Sequence, residues 1–482
     1  MNRNTKKELV GRVQERTILE QALQSDEAEM VAITGRRRVG KTFLVNTIYE
    51  GYIDFEVTGI QNTSKQKQLK NFAYQLSEFS GKPIEKQSDW LDAFIALIQY
   101  LKTKQGNGKQ KSVVFLDELP WLATPKSGFL QGLSFFWNSW AVKQNIIVVI
   151  CGSAASWMIQ KVIDHKGGLH NRITKRIDLE PFNLKETEMY LKNRNIHLDR
   201  YQIIQLYMAM GGIPHYLKEI VRGKSAAQNI DAICFAKGGL LKKEFSRLYP
   251  ALFKNAENHI AIIRALASKR QGLTRIELVK NAQLSDGGGI NRVLDELIHS
   301  GFISSYYPYG KKKKNVLYRL TDEYSLFYLQ FIEGTVNQGE NIWQKLSQTQ
   351  TYKSWSGYTF EGICLKHNPQ IKRALSIGGV YSESSSFYQQ GNQDMQGIQI
   401  DLLIDRNDHV INLFEIKFYN TFFVMTKTYA KSLQEKMAIF KAVTQTSKQI
   451  FVNLITTFGL LHNEHSIGLI DQILTLDDLF DN

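Results

Sequence analysis

Gly35-Arg36-Arg37-Arg38-Val39-Gly40-Lys41-Thr42 decides the first domain of this chain. The stretch fits the phosphate-binding pattern G-x-x-x-x-G-K-[ST], and its surroundings fit too. An apolar run, Met30 to Thr34, precedes it, and a helix-like segment, Phe43 to Tyr49, follows. The motif needs that strand–loop–helix context. Its glycines let backbone N–H groups wrap around phosphate oxygens, and the helix N-terminus adds a favourable dipole. Lys41 is expected to reach the β- and γ-phosphates of a nucleotide, and the Thr42 hydroxyl to hold Mg²⁺. A merely basic, glycine-rich turn has no need of these flanks.

A second motif follows about 75 residues on. Ser112-Val113-Val114-Phe115-Leu116 reads as a strand buried on both faces, and it ends in Asp117-Glu118. Together with the phosphate loop this resembles a Walker B motif. Asp117 is expected to bind Mg²⁺ through water, and Glu118 to orient the attacking water. A third apolar run, Ile146 to Ile150, leads into Cys151-Gly152-Ser153. Where such ATPases carry an added central strand, a polar residue here lies between the two Walker motifs. Ser153 is therefore either a γ-phosphate sensor or a strand-ending turn serine. Asp54 to Val57 and Lys175 to Phe182 read as two further strands. Arg172 and Arg176 are finger candidates, with solvated surface arginines as the alternative. Gly211-Gly212-Ile213-Pro214 marks a sharp junction between helices.

These pieces carry a resemblance. Leu9-Val10-Gly11-Arg12 with Glu15, the Gly35–Thr42 loop, Asp117-Glu118 and Gly212-Ile213-Pro214 occur in one order. In that order they resemble the archaeal and bacterial AAA-type ATPase family grouped with the STAND signalling ATPases, whose C-terminal domain is uncharacterised and nuclease-like. The resemblance implies that Gly11, Arg12 and Pro214 border the nucleotide. It also implies a Gly-Arg pair where this chain has Asn171-Arg172, a departure that bears on the finger role of Arg172.

Composition sets outer limits. The chain has 482 residues, enough for two to four domains, with 43% hydrophobic and 22% charged residues. Its net charge of +14 favours an acidic partner, most simply double-stranded DNA. The three cysteines, Cys151, Cys234 and Cys364, are too far apart to make a metal pattern or a disulfide framework, which fits a reducing cytoplasm. The first eight residues lack the apolar core of a signal peptide, and no uncharged apolar run reaches membrane-spanning length.

From Ala256 to Leu320 the pattern changes to three helical segments and a hairpin, the order of a winged helix. Lys311 to Lys314 tip the hairpin, and Asn291 and Arg292 stand near the start of the third helix, where they could reach base edges. The same module is used elsewhere for intramolecular packing. Gly287-Gly288-Gly289 weakens the start of that helix, which is expected nearer Ile290.

The tail holds the second candidate site. The family's Trp-x-Gly-x-x-Phe-Glu pattern stands here as Trp355 to Glu361. Further on, Asp401 and Glu415-Ile416-Lys417 make the D…(D/E)-x-K signature of restriction-endonuclease-like cores. Pairing the two apolar runs as a hairpin about Asp408 sets Asp401 opposite Glu415, and alternation puts Glu415 and Lys417 on one face. Asp401 and Glu415 are then expected to hold Mg²⁺, with Lys417 positioning water and Glu361 as a fourth member. A surface hairpin with an ordinary Glu–Lys pair, or a retained fold that cuts nothing, are the alternatives.

The expectation is an α/β chain in four parts: a P-loop ATPase domain over residues 1–180, a helical lid over 181–254, a winged helix over 255–330 and a restriction-endonuclease-like domain over 331–482. It would use ATP and Mg²⁺, act on duplex DNA, and have a possible protein partner or a second copy of itself. A signalling switch with a non-catalytic tail is the other reading.

Overall fold

The computed structural model describes residues 8–104, 110–164, 167–269, 271–311, 316–335, 341–391 and 396–481. Lys312, Lys313 and Lys314 of the expected hairpin tip lie outside the described residues, as do residues 1–7. The chain divides into two compact units. One comprises Met1–Pro181 with Arg292–Gly301, the other Phe182–Asn291 with Phe302–Asn482.

The first unit is built on a sheet of five parallel strands: β1 (Glu29–Thr34), β2 (Ile53–Thr58), β3 (Ser112–Asp117), β4 (Ile146–Gly152) and β5 (Lys175–Asp178). Their order is β2-β3-β4-β1-β5, every neighbouring pair parallel. Parallel strands need crossover helices, which cover both faces of the sheet and explain its unbroken apolar runs. Every residue of β1 and β4 is buried. The fifth strand is shorter than the sequence suggests. It stops at Asp178, three residues before Pro181.

Helix Trp90–Lys104 buries Trp90, Ala93, Phe94, Leu97, Ile98 and Leu101, the three- and four-residue spacing of one helical face. That face meets helix Phe129–Ser139, with Trp90 and Phe129 edge to face at 4.6 Å. Phe136, Trp137 and Trp140 are buried there as core, while Phe135 of the same stretch faces solvent. Each fully buried side chain of this size contributes roughly 2–3 kcal/mol.

The second unit begins with helices. Helix Leu184–Asn193 starts from a reciprocal cap, in which Asn183 accepts from the Glu186 N–H and the Glu186 side chain accepts from the Asn183 N–H. Helix Arg200–Met210 ends at Gly211, whose φ of 63° lies in the left-handed region. Gly212 follows, and a Cβ there would stand 1.8 Å from the Phe182 carbonyl oxygen. Pro214 then opens the short helix Pro214–Leu217. These contacts give the Gly-Gly-x-Pro junction its physical reason.

Helices Glu257–Ser268 and Arg275–Asn281 come next, then helix Gly288–His299, whose residues from Arg292 are assigned to the first unit, and an antiparallel pair, β6 (Ile303–Tyr306) and β7 (Leu317–Leu320). Leu273 bridges Tyr318 as a short third edge. The third helix starts at Gly288, two residues earlier than its glycines suggest. Asn291 is occupied, since its side chain accepts from Arg275 Nε at 2.8 Å. Arg292 pairs with Glu296 at 3.5 Å.

The tail carries a mixed sheet of β8 (Ser382–Gln389), β9 (Ile398–Arg406), β10 (Val410–Lys417), β12 (Gln449–Thr456) and β14 (Gln472–Leu474), in the order β14-β12-β10-β9-β8. A small parallel pair, β11 (Phe423–Val424) and β13 (Leu460–Leu461), stands beside it. Strands β8, β9 and β10 form an antiparallel meander, and β12 joins β10 in parallel after helix Lys427–Thr444. Helix Gln350–Lys366 precedes the meander and buries Trp355, Phe360 and Ile363. Among the described residues no helix is long and apolar enough to cross a membrane. All three cysteines are buried and free.

Candidate functional sites

The phosphate loop joins β1 to helix Lys41–Ile48. Its backbone takes values that only glycine accepts easily. Gly35 has φ 143° and Gly40 φ 99°, and a Cβ on Gly35 would lie 2.3 Å from the Leu179 carbonyl oxygen. Arg36 and Val39 are buried, while Arg37 and Arg38 are half-buried. Lys41 is buried too, and its ammonium donates to the carbonyl oxygens of Gly35 at 2.8 Å and Arg36 at 3.0 Å. The lysine thus closes the loop on itself.

Strand β4 lies between β1 and β3, so the ends of all three strands meet at the loop. The Thr42 hydroxyl donates to Asp117 Oδ2 at 2.7 Å. Two hard oxygen donors side by side suit Mg²⁺, which takes oxygen ligands from one or two protein groups and completes its shell with phosphate and water. Glu118 has φ 47° and turns its carboxylate towards the end of β4. There its Oε2 accepts from the Ser153 hydroxyl at 2.8 Å and from the Ser153 N–H at 3.1 Å. Ser153 is therefore tied directly to Glu118.

Gly11 has φ 66°, and Arg12 is buried with φ 57°, its Nη2 donating to the Val39 carbonyl at 3.4 Å. Arg12 thus braces the loop from behind. Arg176 pairs with Asp178 at 3.0 Å on β5, whereas Arg172 is exposed on the turn before that strand. Pro214 belongs to the second unit.

This arrangement defines the class: the first unit carries a P-loop ATPase domain. Residues 9–220 match the model of a family described as an ATPase domain predominantly from Archaea. An uncharacterised protein of Methanocaldococcus jannaschii is 22% identical over 413 residues, covering 85% of this chain and 87% of its own length. The Walker-type ATPase of Pyrococcus abyssi is similar over 67% of this chain and 97% of its own, with 14% identity and a TM-score of 0.49. The ORC2 protein of Aeropyrum pernix, solved with ADPNP and ADP, covers 71% of this chain and 98% of its own, with 15% identity and a TM-score of 0.43.

The tail gathers its predicted residues on β9, β10 and helix Gln350–Lys366. Phe414 pairs with Leu402, so one step further along the register sets Glu415 across from Asp401. Lys417 bonds Glu415 Oε1 at 2.8 Å. Two residues that sequence reading missed complete the set. Lys436 bonds Glu415 Oε2 at 2.7 Å, and the Tyr429 hydroxyl also donates to Glu415. Both project from helix Lys427–Thr444, seven residues apart and hence on one face. That spacing of a tyrosine and a lysine was the available signal.

Charge and burial act differently on the two acids. Burial alone would raise Glu415, but the ammonium groups of Lys436 and Lys417 outweigh it and bring its carboxyl down to about 2. Asp401 is pushed up, chiefly by burial and further by the charge of Glu415, with the Gln399 hydrogen bond opposing. Glu361 lies close enough to act on Lys417.

This pattern fits the expected metal poorly. Both Glu415 oxygens are already taken by cationic or hydroxyl donors, and among the described residues no three metal-capable side chains converge. Asp401 and Glu415 are neighbours, yet the pair is not an open carboxylate cradle.

Proposed function

We propose that the protein is an ATP-hydrolysing switch whose nucleotide state governs a DNA-directed tail of restriction-endonuclease-like design. The observation that carries the ATPase half is the convergence of Lys41, Thr42–Asp117 and Glu118–Ser153 at the ends of three adjacent strands. In this reading the loop N–H groups and Lys41 bind the phosphates, and Glu118 aligns water, with Ser153 holding the carboxylate in place. Mg²⁺, held by Thr42 and Asp117, would supply charge neutralisation on the β- and γ-phosphates.

For the tail, support comes from the order of helix, meander, helix and parallel strand, with Asp401 on β9, Glu415 and Lys417 on β10, and Glu361 on the preceding helix. We read residues 255–330 as a winged helix, and the +14 net charge as serving nucleic acid. The ion pairs on Glu415 favour a second reading, in which the tail binds DNA or a protein without cutting.

One assay separates the two: cleavage of plasmid and linear DNA in Mg²⁺ or Mn²⁺, with and without ATP, beside Lys41→Ala and an Asp401→Ala/Glu415→Ala variant. Cleavage lost in the double variant and deregulated in Lys41→Ala supports the nuclease reading. ATP hydrolysis without cleavage supports the binding module. Absence of hydrolysis in the intact chain overturns the ATPase half.

A further inference from the structure

The acid side of the tail opens into a cavity of 910 Å³ within the second unit. One wall is Asp401 and Gln399 of β9, a second is Tyr358 and Glu361 of helix Gln350–Lys366, and a third is Tyr306 and Arg319 of the β6–β7 pair. That third wall is fixed to the tail. The Tyr309 N–H donates to the Ser386 carbonyl at 2.7 Å, and the Tyr309 ring packs on Phe440 with centroids 5.8 Å apart. Gln271 donates to Gln399, which in turn donates to Asp401.

Most charges at the cavity's edge are already satisfied. Arg264 is paired with Glu333, Lys269 with Glu277, and Glu323 with Lys366. Arg319 differs. Its guanidinium stacks over the Tyr306 ring at 4.8 Å, and its buried Nε has no hydrogen-bond partner among the described residues. It feels the charges of Asp401 and Glu361. Arg319 is half-buried, and a shielded donor without an acceptor costs free energy.

We propose that this cavity takes an unpaired stretch of nucleic acid, with Arg319 as its phosphate ligand and Tyr358 as a stacking surface. The proposal rests on the DNA-directed reading and narrows it from duplex to single strand. Size supports the narrowing, because pockets of this order hold ligands of one or two nucleotides and not the breadth of a duplex. Chemistry supports it as well. A guanidinium fork matches phosphate oxygens, and aromatic faces hold bases without regard to sequence. Several acids at the site are already ion-paired: Glu415 with Lys417 and Lys436, Glu323 with Lys366, Glu333 with Arg264 and Glu277 with Lys269.

The test uses the full chain in EDTA, with a fluorescent twelve-nucleotide oligothymidine, the matching oligouridine and a duplex of equal length. Anisotropy would be read over a range of salt for the intact chain, Arg319→Gln, Arg319→Lys and Tyr358→Ala. Arg319→Gln is expected to weaken single-strand binding about tenfold or more, the loss of one charge-assisted contact. It should also lower the salt slope by about 0.7, the share of one phosphate on a single strand. Arg319→Lys should restore part of both, and Tyr358→Ala should weaken binding without touching the slope. Thermal unfolding of each variant separates misfolding from lost contact. Equal preference for deoxyribose and ribose strands supports a phosphate-and-stacking site, whereas binding confined to one sugar overturns it. Single-strand binding unchanged in Arg319→Gln and Tyr358→Ala overturns the proposal while leaving the DNA-directed reading intact. If the intact chain binds none of the probes, both fall.

Discussion

His367 should make the second unit lose stability in mild acid. Its ring is 2% exposed. Nε2 accepts from the Leu184 N–H at 3.1 Å, and Nδ1 meets the Ile363 carbonyl at 2.8 Å. The ring is therefore neutral with its proton on Nδ1, and it ties the start of helix Leu184–Asn193 to the end of the helix that carries Glu361. Burial lowers its pKa from 6.5 to about 4, with Lys366 adding to the fall and the Ile363 bond opposing it. The unfolded chain thus takes up its proton first as pH drops. Stability from this residue is complete above 6.5 and is lost on the way down to about 4. Worked through the two values, the loss from pH 7.5 to 5 is about 2 kcal/mol, approaching about 3 kcal/mol below pH 4. Denaturant unfolding of the intact chain and His367→Gln at several pH values reads this out, since the glutamine can accept from Leu184 but does not titrate. The stability gap between the two should narrow by about 2 kcal/mol over that range. Histidine-selective NMR provides the direct check. A ring titrating near 6.5, or two stability curves falling in parallel, would refute the reasoning.

Three further outcomes are expected. Ser153→Ala removes a hydroxyl that holds Glu118 at 2.8 Å, so ATP turnover should fall about tenfold with nucleotide affinity unchanged; unaltered turnover would leave Ser153 a turn residue. Gly212→Ala drives a methyl to 1.8 Å from the Phe182 carbonyl oxygen and should cost about 2–4 kcal/mol, read by thermal unfolding. Lys436→Met strips one of the two ammonium groups from Glu415. Its carboxyl then titrates higher, so the loss, roughly 1–3 kcal/mol, should be full at pH 7 and shrink as pH falls towards 2. A loss independent of pH would point to packing instead of charge.

Much of the ATPase domain is legible in one dimension because its determinants are local. A glycine-rich loop needs glycines where φ is positive, and a strand buried on both faces needs an apolar run, so Gly35, Gly40 and β1, β3 and β4 announce themselves. The register that sets Glu415 beyond Phe414 and across from Asp401 is local too, fixed by a turn and by strict alternation. The sequence alone also determined that Glu415 and Lys417 share a face. Contacts between distant segments were settled only by the tertiary structure. Lys436 and Tyr429 close over Glu415 from a helix that, read alone, shows only an amphipathic core face. Arg319 meets the charges of Asp401 and Glu361 only because the β6–β7 pair is pinned against the tail's sheet. Whether a carboxylate stands open to a metal or saturated by lysines depends on which side chains three elements bring to one point, and no periodicity along the chain encodes that.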